Sequence, residues 1–324
     1  MITMAEIARL TQVSQPTVSR VLNGNKAVAP EIRERVLSCA REHDYQLNAL
    51  AKSLHGSKTH LLGVIFNDMT NSFFADLAKK IEAKARECGY SMILFNSDHD
   101  PQRQLEHIDV VRRYRVDGVL IIPTLRDLAA WRECVGKLDV PAVVVTREVK
   151  ELDSVYLDHK EAARLVARHL AERNCKRFLF IGKQTDIKYK GFSEELANMG
   201  LCPAGKVGFF EDEDDKEFAR NLKNHLGQSE GKTGIFANND LWALRTLRVL
   251  RDLNVSVPEE AGVIGFDNIS MGRYFYPSLS SVSQPITQMA DTAVTRLVYR
   301  IDHPTEPELL DLPMQAALVP REST

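Results

Sequence analysis

The segment TMAEIARLTQVSQPTVSRVLNG, residues 3–24, leaves the chain few choices of local shape. It reads as two short helices joined by a tight turn. The first is expected over about Met4 to Leu10, where Ile7 and Leu10 recur at helical spacing and Ala5 and Ala8 are small enough for close helix contact. Thr11-Gln12-Val13-Ser14 follows, with Val13 filling the space between the helices and Ser14 serving as an N-cap. Gln15 and Pro16 occupy the first turn, where a missing backbone N–H does no harm. Val18, Val21 and Leu22 form the buried stripe of the second helix. Gln15, Thr17, Ser19 and Arg20 then stand on its other faces, an arrangement suited to the major groove of DNA. A short amphipathic bundle with no DNA role satisfies the same spacing.

Residues 31–43, EIRERVLSCAREH, read as a third helix with Ile32, Val36 and Ala40 on its inner face. Asn48 to Leu54 is a short helix-prone stretch, and His55 to Thr59 is a linker. A chain of 324 residues normally folds as two or more domains. Residues 1–59 carry eight Lys and Arg against five acids, a net +3, so with an overall charge of −2 the rest carries −5. A small positive module on an acidic body fits a separate nucleic-acid-binding head.

The five cysteines, at 39, 88, 134, 175 and 202, are odd in number, and no pair has C-x-x-C spacing. That argues against a disulfide framework and a structural zinc site, and for free thiols in a reducing cytosol. The N-terminus has no apolar signal core, and no run of about eighteen apolar residues occurs. The reading is a soluble cytoplasmic protein without membrane contact.

From Leu61 the pattern changes. Leu61–Phe66, Ser91–Phe95, Gly118–Ile122, Ala142–Val145 and Ser154–Leu157 read as strands, separated by helices at Asp76–Gly89 and Pro101–Tyr114. The alternation then restarts. Helices at Glu161–Arg173, Gly191–Met199, Phe218–Leu226 and Leu241–Leu253 flank strands at Arg177–Ile181, Lys206–Phe210, Gly234–Ala237 and Gly262–Phe266. Apolar strands alternating with helices mean parallel sheets covered on both faces. Two such series suggest two lobes across a cleft.

Thr17 to Asn23, Val28-Ala29-Pro30, Arg33 to Val36, Tyr45 and Asn48 resemble the lactose-repressor/galactose-repressor (LacI/GalR) family of bacterial transcription regulators. The resemblance extends over nearly the whole chain, from Ile2 to about Arg321. It implies a small all-α helix-turn-helix head and hinge helix joined to an α/β two-lobed domain of the periplasmic-binding-protein type. The implied divisions are 1–46 for the head, 47–59 for the hinge helix and linker, and 60–324 for the effector and dimerisation domain. Lobe 1 would hold about 60–159 and 287–317, and lobe 2 about 160–286 and 318–324. The DNA-contacting set it implies is Thr3, Ser14, Gln15, Pro16, Thr17, Ser19, Arg20, Asn23, Asn48, Ala51 and Leu54. Leu54 matches the family's leucine that wedges between base pairs and kinks the duplex.

Ligands of open parallel sheets bind beyond the carboxyl ends of the strands. Asn67, Asp68, Asn71, Phe73 and Phe74 follow the first strand; the rings suit a sugar face, or else Asn71 caps a helix and the phenylalanines are core. Thr146 follows the fourth strand where many relatives carry Asp, which puts a standard neutral-sugar contact in doubt. Relatives place an arginine where this chain has Lys188, three residues before Gly191-Phe192. With Lys183 and Lys190 nearby, that lysine suggests an anionic effector, though such a run can also be a solvated loop. The acidic run Glu211 to Asp215 stands where relatives have a stacking aromatic. Asn239 and Asp267 match family residues that grip sugar hydroxyls, though short polar residues at strand ends also cap helices. Gln284 lies on the crossover back to lobe 1. The implied effector set is therefore Asn67, Phe73, Phe74, Thr146, Lys188, Asn239, Asp267 and Gln284.

These readings describe an effector-controlled transcription regulator, most simply a repressor of a carbohydrate-utilisation operon. Its partners would be a pseudo-palindromic double-stranded DNA operator, a small sugar or sugar derivative, and a second copy of the chain. The chain ends at Thr324 with no room for a tetramer-forming heptad tail, so a homodimer is expected. A solute-binding protein without a regulatory role is the alternative. No phosphate loop, dinucleotide fingerprint or metal-spaced histidine cluster appears, so no enzyme activity, cofactor or metal is expected. His159 and His169 read as surface or helix residues.

Overall fold

The computed structural model describes residues 2–22, 24, 27–45, 58–124, 135–136, 138–150, 152–211, 214–227 and 231–324. The chain divides into two compact units, residues 1–59 and 60–324.

The first unit holds three helices, α1 (Met4–Leu10), α2 (Gln15–Leu22) and α3 (Pro30–Glu42). Thr3 starts α1 through a capping box. Its Oγ1 accepts from Glu6 N at 3.2 Å, and Glu6 Oε2 accepts from Thr3 N at 2.7 Å. Ser14 caps α2, its Oγ accepting from Thr17 N at 3.3 Å. Ile7, Val18 and Val36 are fully buried, and Ala8, Val21, Cys39 and Ala40 complete the core with half-buried Val13 beside them. Leu10 does not join this core, although it stands one turn after Ile7; it is 51% exposed. Ala5 is exposed as well, and only Ala8 makes the close contact.

The second unit contains two six-stranded sheets. The first comprises β1 (Leu61–Phe66), β2 (Ser91–Asn96), β3 (Gly118–Ile121), β4 (Ala142–Val145), β5 (Asp153–Leu157) and β11 (Asp311–Met314), in the order β11-β5-β4-β3-β1-β2. The second comprises β6 (Arg177–Ile181), β7 (Gly208–Phe210), β8 (Thr233–Ala237), β9 (Ala261–Phe266), β10 (Ser280–Ser283) and β12 (Ala317–Val319), in the order β12-β10-β9-β8-β6-β7. All pairs are parallel except β10 with β12. The central strands β3, β8 and β9 are buried along their whole length, as parallel strands covered on both faces must be.

Helices cover the sheets: α4 (Ser72–Glu87), α5 (Pro101–Arg113), α6 (His159–Glu172), α7 (Ile187–Asn198), α8 (Asp215–Leu226), α9 (Asp240–Asp252) and α10 (Ile286–Asp302). Lobe 1 is built on the first sheet and lobe 2 on the second. The α10 helix returns the chain to lobe 1, packing on α4 and the first sheet. A buried ion pair fixes it there: Arg300 Nε and Arg296 meet Asp153, the first residue of β5, at 2.6 and 2.9 Å. Asp153 is 2% exposed, so two guanidiniums and the Leu310 N–H compensate one buried carboxylate.

Helix starts in lobe 1 and lobe 2 are set by Asx caps. Asn71 caps α4, Asp158 caps α6, Asp186 caps α7, Asp214 caps α8 and Asn239 caps α9. These caps bring α4 and α7 four residues forward of their expected starts. Among the described residues no helix is long and apolar enough to cross a membrane, and no cluster of ligating side chains could hold a metal ion.

Candidate functional site

In the first unit, the exposed surface of α2 carries Gln15, Pro16 and Arg20, with Thr17 and Ser19 half-buried beside them. Ser14 and Thr17 hydroxyls are 2.8 Å apart, so both are partly committed to starting the helix. Thr3 is exposed with its hydroxyl engaged by Glu6 at 2.9 Å. Asn23, Asn48, Ala51 and Leu54 lie outside the described residues.

In the second unit, the ends of β4, β8 and β9 and the start of α6 converge. Asp267, just after β9, is 8% exposed and sits at φ +105°. Its two oxygens reach in opposite directions. Oδ2 accepts from Asn71 Nδ2 of lobe 1 at 3.0 Å, and Oδ1 accepts from Gln284 Nε2 of the crossover at 2.8 Å. Burial pushes this carboxyl above the usual carboxylate range, while Lys188 and the two amide donors pull it back. One carboxylate therefore ties the two lobes together.

Lys188 lies beside it on α7. Its ammonium donates to Asn238 O at 2.6 Å and Asn238 Oδ1 at 2.7 Å, and stands 4.0 Å from the centre of the Phe266 ring. Burial lowers its pKa, against the pull of Asp186 and Asp267, and the charge of Arg147 lowers it further. Gly182 allows this packing: at φ +150°, a Cβ there would lie 3.1 Å from Asn238 Cβ and 2.6 Å from the Phe180 ring.

Thr146 is buried at φ +78°, a conformation rare for a β-branched residue. Its carbonyl accepts from His159 Nε2 at 3.1 Å, and the imidazole packs 5.5 Å from the Phe266 ring. Burial brings His159 down to about 4, with the charges of Lys188 and Arg147 adding to the effect. Three buried polar atoms that lie just past strands have no partner: Asn67 Oδ1 after β1, His159 Nδ1 after β5 and Gln284 Oε1 after β10. Buried polar groups are nearly always satisfied, so a set of orphans marks a place for a ligand or water.

Other expected residues take structural places. Phe73 is 2% exposed in the apolar core, with half-buried Phe74 edge-on to it at 5.0 Å. Asn239 Oδ1 accepts from the Trp242 N–H at 3.0 Å as the cap of α9. Of the three lysines, Lys183 pairs with Glu211 at 3.0 Å and Lys190 is exposed, leaving Lys188 as the one turned inward. The acidic run is likewise structural where described. Glu211 holds Lys183, Asp214 caps α8, and Asp215 pairs with Arg245 at 2.7 Å. Sequence reasoning missed Asn238, His159 and the bridging role of Asn71. The second residue of the Asn-Asp pair, Asp240, is a framework group. It accepts from Ser281 Oγ at 2.6 Å and Ile269 N at 2.7 Å, and burial raises it to about 7.

A groove-sized helix pair in a small basic unit, and a two-lobed domain with polar groups gathered at its strand ends, define a ligand-responsive DNA-binding protein. The profile of bacterial regulatory proteins of the lacI family matches residues 3–48, and that of periplasmic binding protein-like domains matches residues 167–324. A transcriptional repressor named PurR from Haemophilus influenzae is 30% identical, the match covering 94% of this chain and 93% of its own length. A ribose operon repressor from Halalkalibacterium halodurans is 29% identical over 100% of this chain and 97% of its own. A lac repressor dimer bound to operator and the anti-inducer ONPF has a similar fold, with a TM-score of 0.86 at 21% identity, covering 99% of this chain and 98% of that one. The chain belongs to the lacI family: it is a DNA-binding transcriptional regulator with a periplasmic-binding-protein-like ligand domain.

Proposed function

We propose that this regulator represses a carbohydrate-utilisation operon as a homodimer on a pseudo-palindromic operator. A small sugar-like effector bearing an anionic group, held between the lobes, controls it. The observation that carries the reading is the Asp267 bridge between Asn71 and Gln284. A ligand hydroxyl that takes the place of Asn71 on this carboxylate changes what joins the lobes. Ligand binding and lobe arrangement are then coupled, as population shift requires. The anionic group is favoured by Lys188 and Arg147, whose charges act on the same enclosed site. The outward engagement of Lys183 favours instead a neutral sugar, held by Asp267 with the neighbouring amides.

On the DNA side, Gln15, Pro16 and Arg20 would read base edges, with Thr3, Ser14, Thr17, Ser19, Asn23 and Asn48 on the backbone. Ala51 and Leu54 would act at the operator centre. Relatives support a sugar-like ligand. One is a ribose operon repressor, and a similar regulator, CelR, is known as a cellobiose complex, with a TM-score of 0.70 at 25% identity.

Thermal melting of the full chain with D-gluconate, D-glucose 6-phosphate, D-glucose and D-ribose tests the reading, because a ligand bound only by the native state raises the melting temperature. A rise with an anionic sugar supports it. A rise with a neutral sugar alone overturns the anionic part. Loss of the gluconate or phosphate response in Lys188→Ala, with operator binding kept, places Lys188 at the ligand.

A further inference from the structure

We propose that His159 reads a ligand hydroxyl: its Nδ1 accepts a hydrogen bond from an O–H of the effector. This deepens the ligand reading above and rests on it.

The tautomer follows from geometry. Nε2 lies 3.1 Å from the Thr146 carbonyl oxygen, which can only accept, so Nε2 carries the hydrogen. In the neutral ring Nδ1 is then a bare lone pair. It is shut off from water and has no partner. An orphaned buried acceptor is unfavourable unless a donor arrives. The neighbouring groups hold the ring in this state. Lys188 and Arg147 disfavour a third positive charge, and Phe266 packs on the ring at 5.5 Å.

The Lys188 ammonium does not serve Nδ1, because its described hydrogen bonds go to Asn238 O and Oδ1. Thr146, whose carbonyl meets Nε2, is itself held at φ +78°.

The chemistry of the missing partner is constrained. A carboxylate or a fully ionised phosphate brings only acceptors, so it cannot satisfy Nδ1. The group read here is a hydroxyl, on a different part of the ligand from the anionic group. His159 is therefore a specificity residue for the hydroxyl pattern.

Two variants separate this role from a structural one. His159→Gln keeps a donor within reach of Thr146 O but has no acceptor at the Nδ1 position. His159→Asn places an amide oxygen near Nδ1 and loses the Thr146 bond. Calorimetric titration uses whichever of D-gluconate, D-glucose 6-phosphate, D-glucose and D-ribose most stabilises the wild-type chain, together with its single-deoxy analogues.

The expected result is a loss of about ten- to hundredfold in affinity for the Gln variant and a smaller loss for Asn. One deoxy analogue should bind the wild type weakly, yet bind the Gln variant as well as the parent sugar does. Wild-type affinity in the Gln variant, or equal losses for every analogue in both proteins, would overturn the proposal. If no probe binds the wild type, the ligand reading itself fails and this inference goes with it. Long-range 1H–15N correlation on the free protein gives a separate check. A hydrogen on Nδ1 of His159 would refute the assignment whatever the ligand is.

Discussion

Replacing Lys188 by Met keeps a side chain of similar length and removes the ammonium. The wild-type group makes two short bonds to Asn238, at 2.6 and 2.7 Å, and lies 4.0 Å from the Phe266 ring centre. Hydrogen bonds with a charged partner contribute about 1.5–3 kcal/mol each, and a desolvated cation over a ring about 2 kcal/mol. Opposing them is the cost of burying the charge, visible in the lowered pKa of Lys188. Because burial offsets much of the gain, the net loss of stability should be about 2 kcal/mol, with the Asn238 carbonyl left short of a donor.

The effect on an anionic ligand should be of similar size. Losing one charge-assisted contact weakens binding by roughly 10- to 150-fold. Urea unfolding of the full chain gives the first quantity, and calorimetric titration with D-gluconate the second. Fluorescence anisotropy on operator DNA should remain within about twofold, since mutations without shared partners are independent. Gluconate affinity within twofold of wild type, together with unchanged stability, would refute the assignment of Lys188 to the site.

Arg20→Ala should weaken operator binding and flatten its salt dependence, while the melting temperature stays put, because Arg20 is exposed. Ile7→Ala should instead unfold the head, costing about 2–5 kcal/mol from a fully buried position and leaving ligand binding intact. Gly265→Ala would set a Cβ 2.0 Å from Asp240 Oδ1, and a destabilisation of about 1–3 kcal/mol in urea unfolding is expected. Two titrations should shape stability against pH in opposite senses. His159, lowered from 6.5 to about 4, binds fewer protons when folded, so its contribution of about 3 kcal/mol is present above pH 6.5 and lost as pH falls towards 4. Asp240, raised from 3.8 to about 7, binds more protons when folded, so its contribution declines as pH rises over that range. Chemical unfolding of His159→Gln across pH 4–7 should show a smaller rise with pH than the wild type, because the lowered His169 and His225 still act in the same sense; a rise undiminished by the substitution would contradict this.

Parallel strands such as Leu61–Phe66, Ala142–Val145 and Arg177–Ile181 are legible to the residue, because continuous apolar runs between polar turns have one economical use in a doubly covered sheet. Helix starts were harder where the signal is a single cap. Asn71 and Asp186 open their helices four residues before the apolar periodicity becomes clear. The Ser280–Ser283 strand escaped notice for the opposite reason. Ser280 and Ser281 are polar in sequence but buried in the fold, paired with the C-terminal residues and Asp240.

Strand-end positions could be located from the βα pattern, yet their partners could not. Asn71 meets Asp267 across 196 residues, and no local pattern encodes that pairing. His159 looked like an ordinary helix residue because its meaning comes from the Thr146 carbonyl and the Phe266 ring, both supplied by the fold. Asn239 shows the converse: the family match marked it for a ligand, and its side chain is engaged as a helix cap.

One ligand-filled cleft should govern DNA binding. The most direct test selects duplexes from a random library with the full-length protein. It then measures affinity for the selected sequence by anisotropy, with and without the sugar that most raises the melting temperature. A pseudo-palindromic sequence bound by two chains is expected, with an affinity that the sugar changes at least tenfold, corresponding to about 1.4 kcal/mol of coupling. A sequence bound with the same affinity at saturating sugar, or no enriched sequence at all, would contradict it.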